Sequence, residues 1–187
     1  MSDPARIRRQ QILREAEGYL DLITAFGERW PCRPDSRDRV AQRVLRALDR
    51  IDNPGGLQAH ILFLRGQALR AMERYAEAVK PLLAAAELEP ENIHVRLALG
   101  WCFKRCGRID LAIQALEEAI EVEPEQAILH YNLACYWSLA GNAKVACTFL
   151  AQAFELEPEY RELVGRERDF DKIRSDPYFL ALTTVIV

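Results

Sequence analysis

The stretches Glu87-Leu88-Glu89-Pro90-Glu91, Glu121-Val122-Glu123-Pro124-Glu125 and Glu155-Leu156-Glu157-Pro158-Glu159 spell one pentapeptide three times, at a spacing of 34 residues. A fixed period of that length marks a repeated supersecondary unit. Working outward, Gly66, Gly100 and Ala134 keep the same register, as do Ala78, Ala112 and Ala146, and then Ala85, Ala119 and Ala153. Small residues at fixed positions are where helices approach closely. Between them recur large apolar residues, Leu69, Phe103 and Trp137 and then Leu82, Leu116 and Leu150, which are expected in the core. Apolar spacings of three and four predict first helices over 57–71, 93–106 and 127–139, and second helices over 75–87, 109–121 and 143–155. Gly107 and Gly141 fall in the turns of the second and third units. Pro closes each unit, because the residue before it is pushed out of the helical region. Pro81 falls inside a second helix, where its ring and missing N–H predict a bend or fraying in a hairpin that survives.

From about Leu57 to Glu159 this pattern resembles the tetratricopeptide repeat, a helix-turn-helix unit of 34 residues. The resemblance implies an all-α fold, a right-handed α-solenoid, with repeats at 57–91, 92–125 and 126–159. Residues 1–56 lack the consensus and read as an N-terminal helical hairpin, a degenerate repeat or cap. Its first helix carries the stripe Ile12, Ala16, Tyr19, Leu20, Ile23 and Phe26 after the start signal Asp3-Pro4, and it ends at Gly27. A loop through Trp30, Pro31, Cys32 and Pro34 leads to a second helix, opened by Asp35 or Ser36 and carrying Val40, Val44, Ala47, Leu48 and Ile51. Residues 160–187 read as C-terminal capping helices with an apolar tail, and the segment from Asp169 to Phe179 resembles the closing segment of bacterial arrays of this family. Here Tyr160 to Val164 is a short helix stopped by Gly165, Asp169 caps its own turn, and Asp176-Pro177 starts another helix. Terminal units are needed to cover an otherwise open apolar face.

The charge is balanced, 25 basic against 28 acidic residues for a net of -3, so no global field holds nucleic acid or an anionic membrane. Met1 to Arg14 is polar and Arg-bearing, without the apolar core of a secretory signal, and the chain is expected in the cytoplasm. The apolar run Phe179 to Val187 is about half of what a bilayer span requires, which makes it a docking tail with no membrane span. The cysteines, Cys32, Cys102, Cys106, Cys135 and Cys147, are odd in number and mostly intrahelical, as suits reduced thiols.

In the family the first helices line a concave groove. The resemblance places there His60, Phe63, Leu64, Gln67 and Arg70 from the first repeat, His94, Leu97, Ala98, Trp101, Lys104 and Arg105 from the second, and Ile128, Tyr131, Asn132 and Cys135 from the third. None of these is acidic, while Glu117, Glu118, Glu121, Glu123 and Glu125 crowd the end of a second helix. An apolar, aromatic and mildly basic groove suits a peptide or protein partner with aromatic or aliphatic anchors beside an acidic group. Set against this is a packing alternative, in which Phe63, Leu97 and Trp101 rest on neighbouring helices and the terminal segments fill the groove. One subgroup of the family grips a terminal carboxylate with Lys and Asn. Of the matching positions Phe63, Gln67, Ala98, Ile128 and Asn132, only Asn132 has such a side chain, which disfavours that clamp.

No catalytic motif is present, so an enzyme is not expected, and no cofactor is implied. Cys102 and Cys106, four apart, with Cys135 or His130, have a metal-like spacing, but each residue also suits a helical core, and no metal is expected. His60 and His94 read as groove lining, and Asp169, Asp171 and Asp176 as cap and turn residues. The function expected is therefore protein binding, as adaptor, scaffold or chaperone. The alternative is a self-assembling structural protein, a homo-oligomer built through Leu180, Leu182, Val185, Ile186 and Val187 of the tail. A secretion-type chaperone comes third.

Overall fold

The structure is a computed structural model and describes residues 4–29 and 33–184, with only the backbone of 26–29. The start signal at Asp3, the loop residues Trp30, Pro31 and Cys32, the side chain of Phe26 and the tail residues Val185, Ile186 and Val187 lie outside the described residues. Every regular element among the described residues is helical. The fold is an all-α helical repeat of the solenoid class, and no described helix is long and apolar enough to cross a membrane. The chain divides into two compact units, Met1–Ala98 and Leu99–Val187.

The first unit begins with α1 (Pro4–Arg29) and α2 (Pro34–Leu48), which form a hairpin. Pro34 occupies the first turn of α2 and the N-cap is Arg33, without a side-chain cap bond, so the helix opens earlier than Asp35 or Ser36. Proline fits there because the first-turn N–H groups have no intrahelical acceptor. Then come a short 3-10 turn (Gly55–Leu57), α3 (Gln58–Ala71) and α4 (Tyr75–Leu88). Ile12, Leu13, Ala16, Val44, Ala47, Leu48, Ile61, Leu64 and Ala68 form one buried cluster joining α1, α2 and α3. Helix α3 lies against α4 where Gly66 meets Leu82, so closely that a Cβ on Gly66 would stand 2.5 Å from Leu82 Cγ. Helix α4 runs unbroken through Pro81, whose ring is buried. Helix α5 (Ile93–Arg105) starts in this unit, with Asn92 Oδ1 accepting from His94 N at 3.1 Å.

The second unit holds the end of α5, then α6 (Ile109–Val122), α7 (Ala127–Leu139) and α8 (Ala143–Leu156). Leu116, Leu133 and Leu150 are fully buried at its centre. Gly100 repeats the close approach, with its Cβ position 2.8 Å from Leu116 Cδ1. The turns α5–α6 and α7–α8 pass through Gly107 (φ 75) and Gly141 (φ 82). The equivalent residue between α3 and α4 is Glu73 (φ 58), a left-handed residue with a side chain, whose carboxylate accepts from Arg37 Nη1 at 2.7 Å.

After α8 the chain forms α9 (Tyr160–Val164), a 3-10 turn (Arg168–Phe170) and α10 (Pro177–Thr183). Phe170 and Phe179 are buried with ring centroids 5.5 Å apart, so the start of the tail is core. Asp176 caps α10 by accepting from Tyr178 N at 2.9 Å. The cap of the 3-10 turn is Glu167, which accepts from Asp169 N at 3.1 Å. Asp169 therefore does not cap its own turn, because its carboxylate is drawn to a cation on another helix.

Candidate functional site

The first-helix residues expected in the groove differ in their exposure. In the first unit, Phe63, Gln67, Arg70 and Leu97 are half-buried, while Leu64 and Ala98 are core. The Oε1 of Gln67 is buried without a hydrogen-bond partner. His94 is exposed. His60 Nε2 lies 2.7 Å from Glu17 Oε1, so α1 brings a carboxylate to a face that has none of its own.

In the second unit the C-terminal segment lies on α7. Tyr131 is buried, its ring 4.7 Å from that of Tyr160 and edge-on to Phe170 at 5.9 Å. Ser138 Oγ donates to the Asp169 carbonyl at 2.7 Å, and Lys172 Nζ to the Leu139 carbonyl at 2.9 Å. Lys104 donates to the Asp169 carboxylate with both side chains largely buried. The same ammonium stands 4.9 Å over the Trp101 ring. Trp101 itself is 37% exposed, and Arg105 is exposed. Ile128 and Asn132 are half-buried; Asn132 Nδ2 donates to the Ile128 carbonyl at 2.8 Å, a bond within its own helix. Lys104, Tyr131 and Cys135 are thus covered by the terminal segment, whereas Trp101 keeps a solvent face.

Cys135 Sγ and carboxylate oxygens of Glu167 and Asp169 lie within 4.8 Å of one another. Lys104 pairs with Asp169, and Glu167 accepts from the Asp169 backbone N–H, so each carboxylate has a partner within the chain. Burial, and then the nearby carboxylates, push the Cys135 thiol well above its ordinary pKa. Cys102 is fully buried while Cys106 is exposed just past the end of α5, so the two do not converge. His130 is a core residue, its Nε2 donating to the Pro124 carbonyl at 2.7 Å.

Glu17 and Asp169 lie outside the repeats and carry no periodic signal in the sequence. The only hint of them is that the expected groove holds cations and no acids, so a partner for those cations must arrive from outside the repeats.

Residues 69–134 match the tetratricopeptide repeat family model. Comparison with curated proteins gives no match. Among solved structures, YrrB, described as a tetratricopeptide-repeat protein with an unusual peptide-binding site, is 20% identical with a TM-score of 0.58, over 81% of this chain and 73% of YrrB. MamA is 16% identical with a TM-score of 0.59, over 87% and 99% of the two chains. MamA from residue 41 to its end, of Desulfovibrio magneticus RS-1, is 19% identical with a TM-score of 0.60, over 85% and 98%. At these identities the likeness is one of fold. The family match over 69–134 and the helical repeat seen here mark that stretch of the chain as tetratricopeptide repeats.

Proposed function

We propose that this protein is an interaction module, an adaptor, scaffold or chaperone without enzymatic activity of its own, that takes a peptide or protein segment on the faces of its first helices. Its place is the cytoplasm. The observation that carries the reading is Trp101, which stays 37% exposed while Lys104 holds its ring from one side. A large aromatic fixed at the surface is the kind of anchor that dominates binding energy in protein interfaces. The partner brings an aliphatic or aromatic side chain to Trp101 and an acidic group to Arg105. On the first unit the corresponding residues are Phe63 and Leu97 with Arg70, beside His60, Gln67 and His94. Asn132 Oδ1 accepts no hydrogen bond from the described residues and suits a backbone N–H of the ligand. The peptide-binding site of YrrB supports the reading by analogy of fold.

The test is affinity capture with wild type beside Trp101→Ala and Phe63→Ala, each with unchanged circular dichroism and mass. A partner held by wild type and lost about tenfold or more by either variant is the expected result. Equal capture by all three chains would remove the reading. Lys104 is unsuited to this test because reversing it also breaks its pair with Asp169.

A second reading, self-assembly, draws on Leu163, Tyr178 and Leu180, which are 50%, 57% and 43% exposed on α9 and α10. It requires a mass that rises with concentration and falls to that of a monomer on Tyr178→Ser with Leu180→Ser.

A further inference from the structure

The first unit holds a cavity of about 400 Å³ where α1 starts and α2 ends. Its wall is part apolar, with Ile12 and Ile51, and part cationic, with Arg8, Arg9 and Arg50. Arg50 is held by Glu15, Nη2 to Oε2 at 2.7 Å, and Asp52 is the one acidic residue in the lining. Arg9 is anchored without an ion pair among the described residues: its Nη1 donates to the Asn53 carbonyl at 2.7 Å, while its Nε–H is buried and has no acceptor among them. The guanidinium can lie there because residue 55 is a glycine at φ 56, where a Cβ would stand 2.9 Å from Arg9 Nη1. Arg8 forms no ion pair among the described residues. Three guanidinium groups against Glu15 and Asp52 leave the wall with excess positive charge.

From this geometry we propose that the cavity binds a phosphoryl group, as free phosphate or as a phosphomonoester with an apolar body. A buried guanidinium N–H without an acceptor among the described residues is costly, and an anion in the cavity would supply one. Guanidinium forks match the several oxygens of a phosphoryl group and release little hydration on pairing. The volume exceeds that of the phosphoryl group alone, and the isoleucine floor suits an attached aliphatic or aryl body. The site goes beyond the peptide-binding reading and shares no residue with it.

The experiment is a phosphorus NMR titration of the full chain at constant ionic strength, with inorganic phosphate in one arm and phenyl phosphate in the other. Wild type is expected to show saturable binding, weakened about tenfold or more in Arg8→Glu and in Arg8→Gln with unchanged circular dichroism. Arg8 is exposed, so neither variant threatens the fold. Equal affinity in the two arms identifies free phosphate as the ligand, and tighter phenyl phosphate binding identifies an ester. Absence of saturation in both arms, or affinity untouched in both Arg8 variants, overturns the proposal. Trp101→Ala is expected to leave the titration unchanged, which separates this site from the peptide face.

Discussion

Lys104 near the end of α5 and Asp169 in the 3-10 turn after α9 form an ion pair whose side chains are only 16% and 14% exposed, across 65 residues of sequence. It joins the repeats of the second unit to the segment that closes them. The pair also sets the Lys104 ammonium over Trp101, so one contact serves the cap and the candidate anchor together.

Removing one member of this pair leaves a largely buried charge behind. Lys104→Met or Asp169→Leu alone is expected to cost about 2–4 kcal/mol, while the double variant recovers much of the loss, because two desolvation penalties vanish together. Urea midpoints of the four chains form the cycle that checks this; additive losses would show that the pair does not act as a unit.

The left-handed turn residues test backbone conformation apart from packing. A Cβ at Gly107 or Gly141 meets nothing within 4 Å, so an alanine there is opposed by φ alone. Each substitution is expected to lower stability by about 1–2 kcal/mol, read as a shift in thermal midpoint.

Gly66 tests the opposite case. Gly66→Ala drives a methyl group to 2.5 Å from Leu82 Cγ, and overpacking of this kind typically costs about 1–3 kcal/mol. Ala134 holds the equivalent place in the third repeat, so Ala134→Gly is expected to be destabilising by loss of packing and of helix propensity, by about 1 kcal/mol. If Gly66→Ala proved neutral, the close approach of α3 and α4 would be adjustable.

Alkaline pH is expected to unfold the protein through its buried acids. Burial, with a smaller contribution from Asp176, pushes the Cys147 thiol up to about 11. A raised folded-state value favours the neutral thiol in the fold, so the stability is intact below the ordinary thiol range. It is lost as pH rises from about 9 to about 11, because the unfolded chain gives up its proton first. Cys147→Ala is expected to flatten that part of the stability curve; an unchanged slope would place the alkaline loss on other groups.

Helices α3 to α8 were legible to within a residue or two of their ends, because a helical repeat is written in local spacings and each close approach, such as Gly66 with Leu82, recurs every 34 residues. Pro81 was harder to read. Its buried ring sits in an unbroken helix, since tertiary packing overrides local propensity. The fate of Tyr131 and Cys135 was not legible. As first-helix residues they are equivalent to groove positions in any repeat of this kind, yet Phe170, Tyr160 and Glu167 close over them.

By itself the sequence determined the helical repeat, its 34-residue period, the small residues at the close approaches and the balance of charge. Only the tertiary structure decided which first-helix residues keep a solvent face. It paired His60 with Glu17 and Lys104 with Asp169, over separations of 43 and 65 residues, and set Arg9 against Asn53 over 44. Repeat contacts are short in sequence and periodic, so composition and spacing encode them. The terminal segments fold back through single, non-repeating contacts, whose partners are chosen by the shape and charge of a surface that exists only once the repeats have packed.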